Sequence, residues 1–334
     1  MNEKEFDVSG IGNAIVDLQV EVSFEEFSNF KLEAGSMNLV DQDAFDSLHS
    51  NLGSKDLKIS SGGSGANTCV ALAALGNKVS YGCIVAEDEA GSSYEEELRF
   101  LGVHLYNQRI KEVNTGKSLL MITPDAERTM NTYLGVTSTF GPEHVDERIV
   151  SMSDWLYIEG YLFSTDTGRA AIAKAVKVAK ENNVKIAVTC SDGFIVDFFR
   201  DDLISVCKQS DMVFANKNEA LKLFSETSVE NSLMKLKEIT KVGVITLSDK
   251  GAIAASNNEE ISVESFKVKA IDDTGAGDMF AAGFLNSYRK NNSLKEALLN
   301  GSYLASRVVS QFGARLEGDL KEVLNNKELT GRLT

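Results

Sequence analysis

Gly275-Ala276-Gly277-Asp278 is the stretch of this 334-residue chain whose residue types and spacing come nearest to chemistry. Glycines let the main chain turn tightly and leave it open to a ligand. The apolar run Met279-Phe280-Ala281-Ala282-Gly283-Phe284-Leu285 that follows reads as a helix. The first amides of a helix lack an internal partner and carry the positive end of its dipole, so they receive an anion well. Asp278 stands at the rim of that anion site, where a carboxylate can take a proton from an attacking hydroxyl. An anion cradle beside a base is the equipment for phosphoryl transfer to an alcohol. The competing reading is a plain helix start, with Asp278 as a stabilising first-turn acid.

A second glycine loop, Ser60-Ser61-Gly62-Gly63-Ser64-Gly65-Ala66-Asn67, runs into the small-residue helix Cys69–Leu75, which stops at Gly76. The loop is not a phosphate-binding P-loop, because Gly-x-x-x-x-Gly-Lys-Ser/Thr is absent from the chain. Nor is it a hydrolase nucleophile elbow, since Ala66 replaces the last glycine and no histidine follows His144. Gly10 and Gly12 begin a dinucleotide fingerprint, but Ile15 stands where the third glycine belongs. Two further acids sit just past predicted strands: Asp17 after Phe6–Gly12, and Glu159 after Trp155–Ile158. Carboxyl ends of strands are where open α/β sheets place ligands. Each of these acids reads equally as a loop acid.

The elements that must position these groups follow from periodicity. From Ser153 onward, apolar strands alternate with helical patterns: Trp155–Ile158, a helix at 168–182, Lys185–Thr189, Met212–Phe214 and Val242–Leu247. That alternation predicts a mainly parallel sheet with crossover helices. Val16–Val22 and much of 104–135 instead alternate in short runs, which predicts a small second sheet. Glu95, Glu96 and Glu97 read as a solvated helix face. Helices are expected at 280–288 and 294–312.

Composition bounds the rest. Apolar residues at 43% and charged residues at 25% suit a globular protein. A formal charge of −15 disfavours nucleic acid and anionic membrane surfaces as partners. Cys69, Cys83, Cys190 and Cys207 show no Cys-x-x-Cys pair and read as reduced core thiols. No apolar run approaches the roughly 20 residues that span a bilayer, and no signal-peptide pattern opens the chain. The expectation is a cytoplasmic protein with a small-molecule partner and no membrane contact; the oligomeric state stays open.

Asp272-Asp273-Thr274-Gly275-Ala276-Gly277-Asp278 closely resembles the C-terminal signature of the ribokinase-like (PfkB) family of sugar and nucleoside kinases, with Asp273 in place of the usual Thr. Gly62-Gly63 with Asn67 and the helix ending Leu75-Gly76 is similar to that family's N-terminal motif. Two motifs in the right order make coincidence a poor account, and the match spans nearly the whole chain. The resemblance implies a three-layer α/β/α fold with a central mainly parallel sheet. It treats residues 1–334 as one kinase domain, with a β-sheet lid built from about 14–50 and 103–135. ATP and magnesium are the implied cosubstrates.

By the same resemblance, Gly275, Ala276 and Gly277 hold the transferring phosphate, Asp278 is the base, and Arg128 lies near the reacting phosphates. Asp17, Gly62, Gly63, Asn67 and Glu159 would bind the acceptor. Asn216, Thr246, Ser248, Gly251 and Gly277 would bind the nucleotide. Glu219 would organise magnesium through water, and Asp272, Thr274 and Gly313 a monovalent cation such as potassium. Bland readings stand beside these: a surface arginine for Arg128, and a simple helix cap for Asn216 and Glu219. Glu127–Gly135 and Val308–Arg315 look most like bacterial adenosine-kinase-type members. The expected reaction is therefore transfer of the ATP γ-phosphate to adenosine, with Tyr133, Tyr161 and Phe163 as candidate walls for the purine or else as core. Ribose, fructose or another free sugar is the alternative acceptor, and a catalytically inactive sugar or nucleotide sensor is the distant one.

Overall fold

Phe6–Ile11, Val79–Ala86 and Ser153–Ile158 are mostly apolar, and the structure pairs them in parallel within the main sheet. This computed structural model describes residues 4–125 and 127–333; Met1, Asn2, Glu3, Ala126 and Thr334 lie outside the described residues. The strands bury both faces, as a parallel sheet between helices requires. Trp155 and Tyr157 enter one core while Leu156 and Ile158 enter the other, following the two-residue repeat of a strand. Helices Ser64–Ala74, Ala276–Asn291 and Leu294–Val308 cover the first face. Asp166–Glu181, Gly193–Cys207 and Val229–Ile239 cover the second. The three-layer α/β/α expectation is met.

The main sheet has nine strands, running from Glu260–Val263 at one edge to Val103–Ile110 at the other. Only the pairings of Ala252–Ser256 with its two neighbours are antiparallel. Val103–Ile110 falls in the segment expected to build the lid but lies in the main sheet. It pairs in parallel with Val79–Ala86 across the helix Glu89–Phe100, a βαβ unit. As an edge strand it is covered on one side only, so Val103 and Leu105 are buried while His104 is exposed. That half-coverage produced the alternation that pointed to the second sheet.

The second sheet has five strands, in the order Met37–Leu39, Arg128–Tyr133, Gly116–Ile122, Ile15–Glu21, Lys58–Gly62. Lys58–Gly62, outside the expected lid segments, forms its edge and delivers the chain into the Gly62-Gly63 loop. Register sets two cross-strand rows on one face. Leu39, Thr132, Ser118, Asp17 and Ser60 make one row; Met37, Met130, Leu120, Gln19 and Lys58 make the next.

Glu95 and Glu97 are not a solvated face. Glu95 is buried against Arg109, bonded by its Nε at 3.1 Å and its Nη2 at 2.7 Å, and Glu97 accepts from the Ser61 amide at 2.8 Å. The run of three glutamates hid the helical turn that aims two of them inward. The last long helix ends at Val308, short of the expected 312. All four cysteines are free and buried. Among the described residues, no helix is long and apolar enough to cross a membrane.

Candidate active site

The carboxyl ends of the parallel strands and the inner face of the small sheet enclose a cleft of about 850 Å³. At its centre the chain turns through Gly275, at φ +77°, into the helix Ala276–Asn291. Only glycine suits that turn, because a side chain there would strike the Ala314 backbone. Nothing lies within 4 Å of where a Gly277 side chain would be, so its main chain faces open space. These first-turn amides make the anion-receptive end of a 16-residue helix.

Asp278 is wired to the opposite helix. Ser64 Oγ donates to its Oδ1 at 2.6 Å, and Asn67 Nδ2 donates to its Oδ2 at 3.0 Å. Both donors sit in the first turn of Ser64–Ala74, which starts at Gly63 with φ +93°. Burial pushes the Asp278 carboxyl above the ordinary carboxylate range; the Ser64 and Asn67 bonds and the Arg128 and Arg315 charges pull it back. The outcome is a carboxylate of raised basicity facing the cradle, the property a general base needs.

Glu159 lines the cleft with both of its oxygens bonded to protein donors. Its Oε2 accepts from Gly65 N at 2.8 Å and Asn13 N at 3.3 Å, and its Oε1 from Asn13 Nδ2 at 3.2 Å. It thereby pins two loops together, and burial holds it at about 7 against those bonds. Asp17 contrasts with it. No group among the described residues hydrogen-bonds its side chain, which lines the cleft from the small sheet. Burial raises Asp17 to about 7, against the pull of Arg315 and Arg128. Gly62 does not line the cleft itself; it leaves the room that the Asp17 carboxylate occupies.

Arg128 also hangs from the small sheet, with its buried Nε unpartnered. Burial works against its cation, and Asp273, Asp272 and Asp278 more than offset that. Asp273, the departure from the family signature, is thus the acid that most favours Arg128.

At the other end of the cleft lie Asn216, Thr246, Ser248 and Gly251, with Phe266, Val268, Ala305 and Val309 as apolar lining. Asn216 and Glu219 do form a helix capping box. Glu219 Oε2 accepts from Asn216 N at 2.8 Å and Oε1 from Asn216 Nδ2 at 2.7 Å. Magnesium prefers carboxylate, phosphate and water oxygens. With both oxygens already bonded, Glu219 fits a contact through water and not direct ligation. Among the described residues no group of three His, Cys, Asp or Glu side chains is placed to hold a metal.

Asp272 is likewise engaged. Its Oδ1 accepts from Thr274 N at 2.9 Å and Thr274 Oγ1 at 2.5 Å, and its Oδ2 from Gly313 N at 2.8 Å. Three protein donors therefore occupy the carboxylate expected to hold a monovalent cation. Those bonds join the two loops.

Of the aromatic candidates, only Tyr161 lines the cleft. Phe163 is buried in the core. Tyr133 points away from the cleft and packs on Phe45 at 6.5 Å, because it falls on the opposite face of its strand from Thr132. The apolar wall comes instead from Met37, Leu39, Leu120, Met130 and Leu134, which sequence reasoning missed. The alternation of Arg128, Met130 and Thr132 is the signal that places them on one face. Ser64, Glu97 and Arg315 were also missed as site residues. Ser64 sits inside the glycine loop and was legible; Arg315 ends the stretch Val308–Arg315 noted for its resemblance, without a sign of its contacts, and Glu97 carries no local signal.

A sequence model of the pfkB family of carbohydrate kinases matches residues 34–319. An adenosine kinase from Sinorhizobium meliloti, of known structure, is 33% identical with a TM-score of 0.92, covering 96% of this chain and 99% of its own. A structure described as a probable sugar kinase from Rhizobium etli is also 33% identical, with a TM-score of 0.93 and coverage of 98% and 99%. The adenosine kinase of Saccharomyces cerevisiae is 28% identical over 332 residues, covering 91% of this chain and 94% of that protein.

Proposed function

The chain belongs to the pfkB family of carbohydrate kinases, and from that premise we propose that it phosphorylates adenosine at the 5′-hydroxyl, with ATP as donor. At the coarser level it is a phosphotransferase with a sugar or nucleoside alcohol as acceptor. The observation that carries the adenosine reading is the wall of Met37, Leu39, Leu120, Met130 and Leu134 beside Asp17. A free pentose offers nothing to fill an apolar wall; a purine extending from the ribose does, and Met adapts to flat rings.

In this reading the chain is one kinase domain and the small sheet serves as its lid. Asp17 accepts hydrogen bonds from the ribose hydroxyls. Asp278 takes the 5′-hydroxyl proton as the oxygen attacks phosphorus. The amides of Gly275, Ala276 and Gly277 hold the transferring group, and Arg128 offsets its charge from above. Catalysis comes from position and electrostatics in a site the lid closes to water. Magnesium, when bound with ATP, supplies charge neutralisation of the phosphates; Glu219 and Asn216 would reach it through water. A monovalent cation beside Asp272 would stiffen a junction that hydrogen bonds already hold, so potassium should stimulate activity without being required.

Relative kcat/KM of the purified enzyme on adenosine, inosine, ribose and fructose tests the substrate, since discrimination is a ratio of those values. The expected order places adenosine first. Ribose or fructose ahead of adenosine overturns the substrate and favours the free-sugar reading, which the hydroxyl-bearing Ser118 and Thr132 on the same face support. Absence of turnover on every acceptor would favour the sensor.

A further inference from the structure

Arg315 lies in neither glycine motif, yet its guanidinium hydrogen-bonds three residues beside the site. Its Nε donates to Asn67 Oδ1 at 2.9 Å, and its Nη1 donates to Ser61 Oγ at 2.9 Å and Glu97 Oε1 at 3.1 Å. Glu97 in turn accepts from the Ser61 amide at 2.8 Å, so the guanidinium is held by a small cluster. Nη2 is buried and unpartnered. With only 14% of its side chain exposed, this arginine is built into the floor between the two glycine loops.

The consequence lies in Asn67. A carboxamide has a donor end and an acceptor end of almost the same shape, so its orientation is set by its neighbours. Arginine only donates and keeps its charge at any working pH. It therefore commits Asn67 Oδ1 to itself and Nδ2 to Asp278 Oδ2, at 3.0 Å. The reversed amide would set an oxygen lone pair against the carboxylate. The same short segment also reaches the cradle. Gly313 N binds Asp272 Oδ2 at 2.8 Å, and the Ala314 backbone lies under Gly275. One loop thus touches both the anion cradle and the residue that holds the base.

We propose that Arg315 is a positioning residue for phosphoryl transfer, acting through the Asn67 amide to fix Asp278 relative to the Gly275–Gly277 cradle. The inference rests on the reading of Asp278 as the base. Misplacing a reacting group by about 1 Å costs up to roughly 100-fold in rate. Arg315→Met should accordingly lower kcat on the best acceptor of the panel by about 10- to 100-fold, with KM for ATP little changed.

The decisive comparison is the double-mutant cycle with Asn67→Ala, which isolates what two residues do together. In the Asn67→Ala enzyme, adding Arg315→Met should cost little further. Equal losses in both backgrounds overturn the proposal. Arg315→Lys keeps the charge but not the fork, and should recover part of the rate. It also decides the matter if Arg315→Met does not fold: wild-type kcat in Arg315→Lys counts against the proposal, and reduced kcat at unchanged melting temperature supports it. Arg315→Met should further move the Asn67 side-chain amide resonances in nitrogen-15-labelled protein, a readout independent of turnover; unmoved resonances overturn the proposal. Failure of the base reading is distinguishable, because it shows as near-normal turnover in Asp278→Asn.

Discussion

The floor of the cleft and the small sheet above it treat their polar groups in opposite ways. On the floor four carboxylates have protein partners: Ser64 and Asn67 hold Asp278, Asn13 and Gly65 hold Glu159, Asn216 holds Glu219, and Thr274 and Gly313 hold Asp272, with the exposed Asp273 as the exception. On the inner face of the small sheet, the Asp17 side chain has no protein hydrogen bond among the described residues, and Gln19 Oε1 and Arg128 Nε are buried without partners. Unpaired buried polar groups destabilise a fold unless something else satisfies them. These four floor carboxylates are held before any ligand arrives, although Arg315 Nη2 and Ser302 Oγ stay unpartnered there, whereas the acid of the sheet above keeps its hydrogen-bonding capacity in reserve. A rigid floor suits chemistry that demands a fixed geometry. An unsatisfied upper face suits recognition, since a bound acceptor and nucleotide supply what it lacks.

The sharpest way to break this contrast is at the base. Asp278→Asn should lower kcat by roughly 10²- to 10⁴-fold, the usual worth of a positioned base, with small changes in either KM. Steady-state kinetics on both substrates reads it, and a large rise in acceptor KM with intact kcat would make Asp278 a binding group like Asp17.

Asp17→Asn should do the reverse, lowering acceptor kcat/KM by about 100-fold through lost charge-assisted hydrogen bonds while sparing ATP. Its acidity adds a pH signature. Because burial raises Asp17 to about 7, the free enzyme gains the charged acceptor group only as pH rises through that value. Acceptor kcat/KM should therefore fall as pH drops below about 7, and the limb due to Asp17 should vanish in the variant. A wild-type profile flat from pH 6 to 8 contradicts this role.

Glu159→Gln should have a smaller effect on activity, roughly tenfold, because loop placement and not a ligand contact is lost. It bears on stability as well. The folded-state value of about 7 lies above that of an ordinary glutamate, so the folded protein binds the extra proton between about pH 4.5 and 7. The Glu159 contribution to stability is thus full at the acid end of that window and is lost as pH rises through it. Melting temperatures between pH 5 and 7.5 should decline less in Glu159→Gln than in the wild type; parallel curves would remove Glu159 from this account.

Met130→Ser should have the least effect, lowering kcat/KM for adenosine by roughly tenfold and leaving ribose unchanged, as expected for trimming one apolar contact. Equal losses on both acceptors would mean that the Met wall shapes the lid and does not read a base.

Much of this was legible one residue at a time. Short-range sterics dictate that Gly275 turns and that a helix follows each glycine loop, and period shows that the strands between Ser153 and Thr246 lie parallel, so motif and period were enough to find these elements, though both helices begin earlier than expected, at Ser64 and Ala276. Sequence also brought Asp17, Asn67, Arg128 and Asp278 to one cleft by resemblance, though not the contacts among them.

Tertiary structure decided which side chains meet. Glu97 and Arg315 are 218 residues apart and carry no common pattern, yet they share a hydrogen bond beside Asn67. Lys58–Gly62 joined the small sheet and Val103–Ile110 the large one because strand partners are chosen by register and by what covers each face, not by alternation alone. Tyr133 turned to Phe45 and Met130 to the cleft for the same reason: in a strand, one step along the chain exchanges the two faces. Local backbone preferences are written in neighbouring residues, while pairing across the fold is settled only when distant segments compete for the same surface.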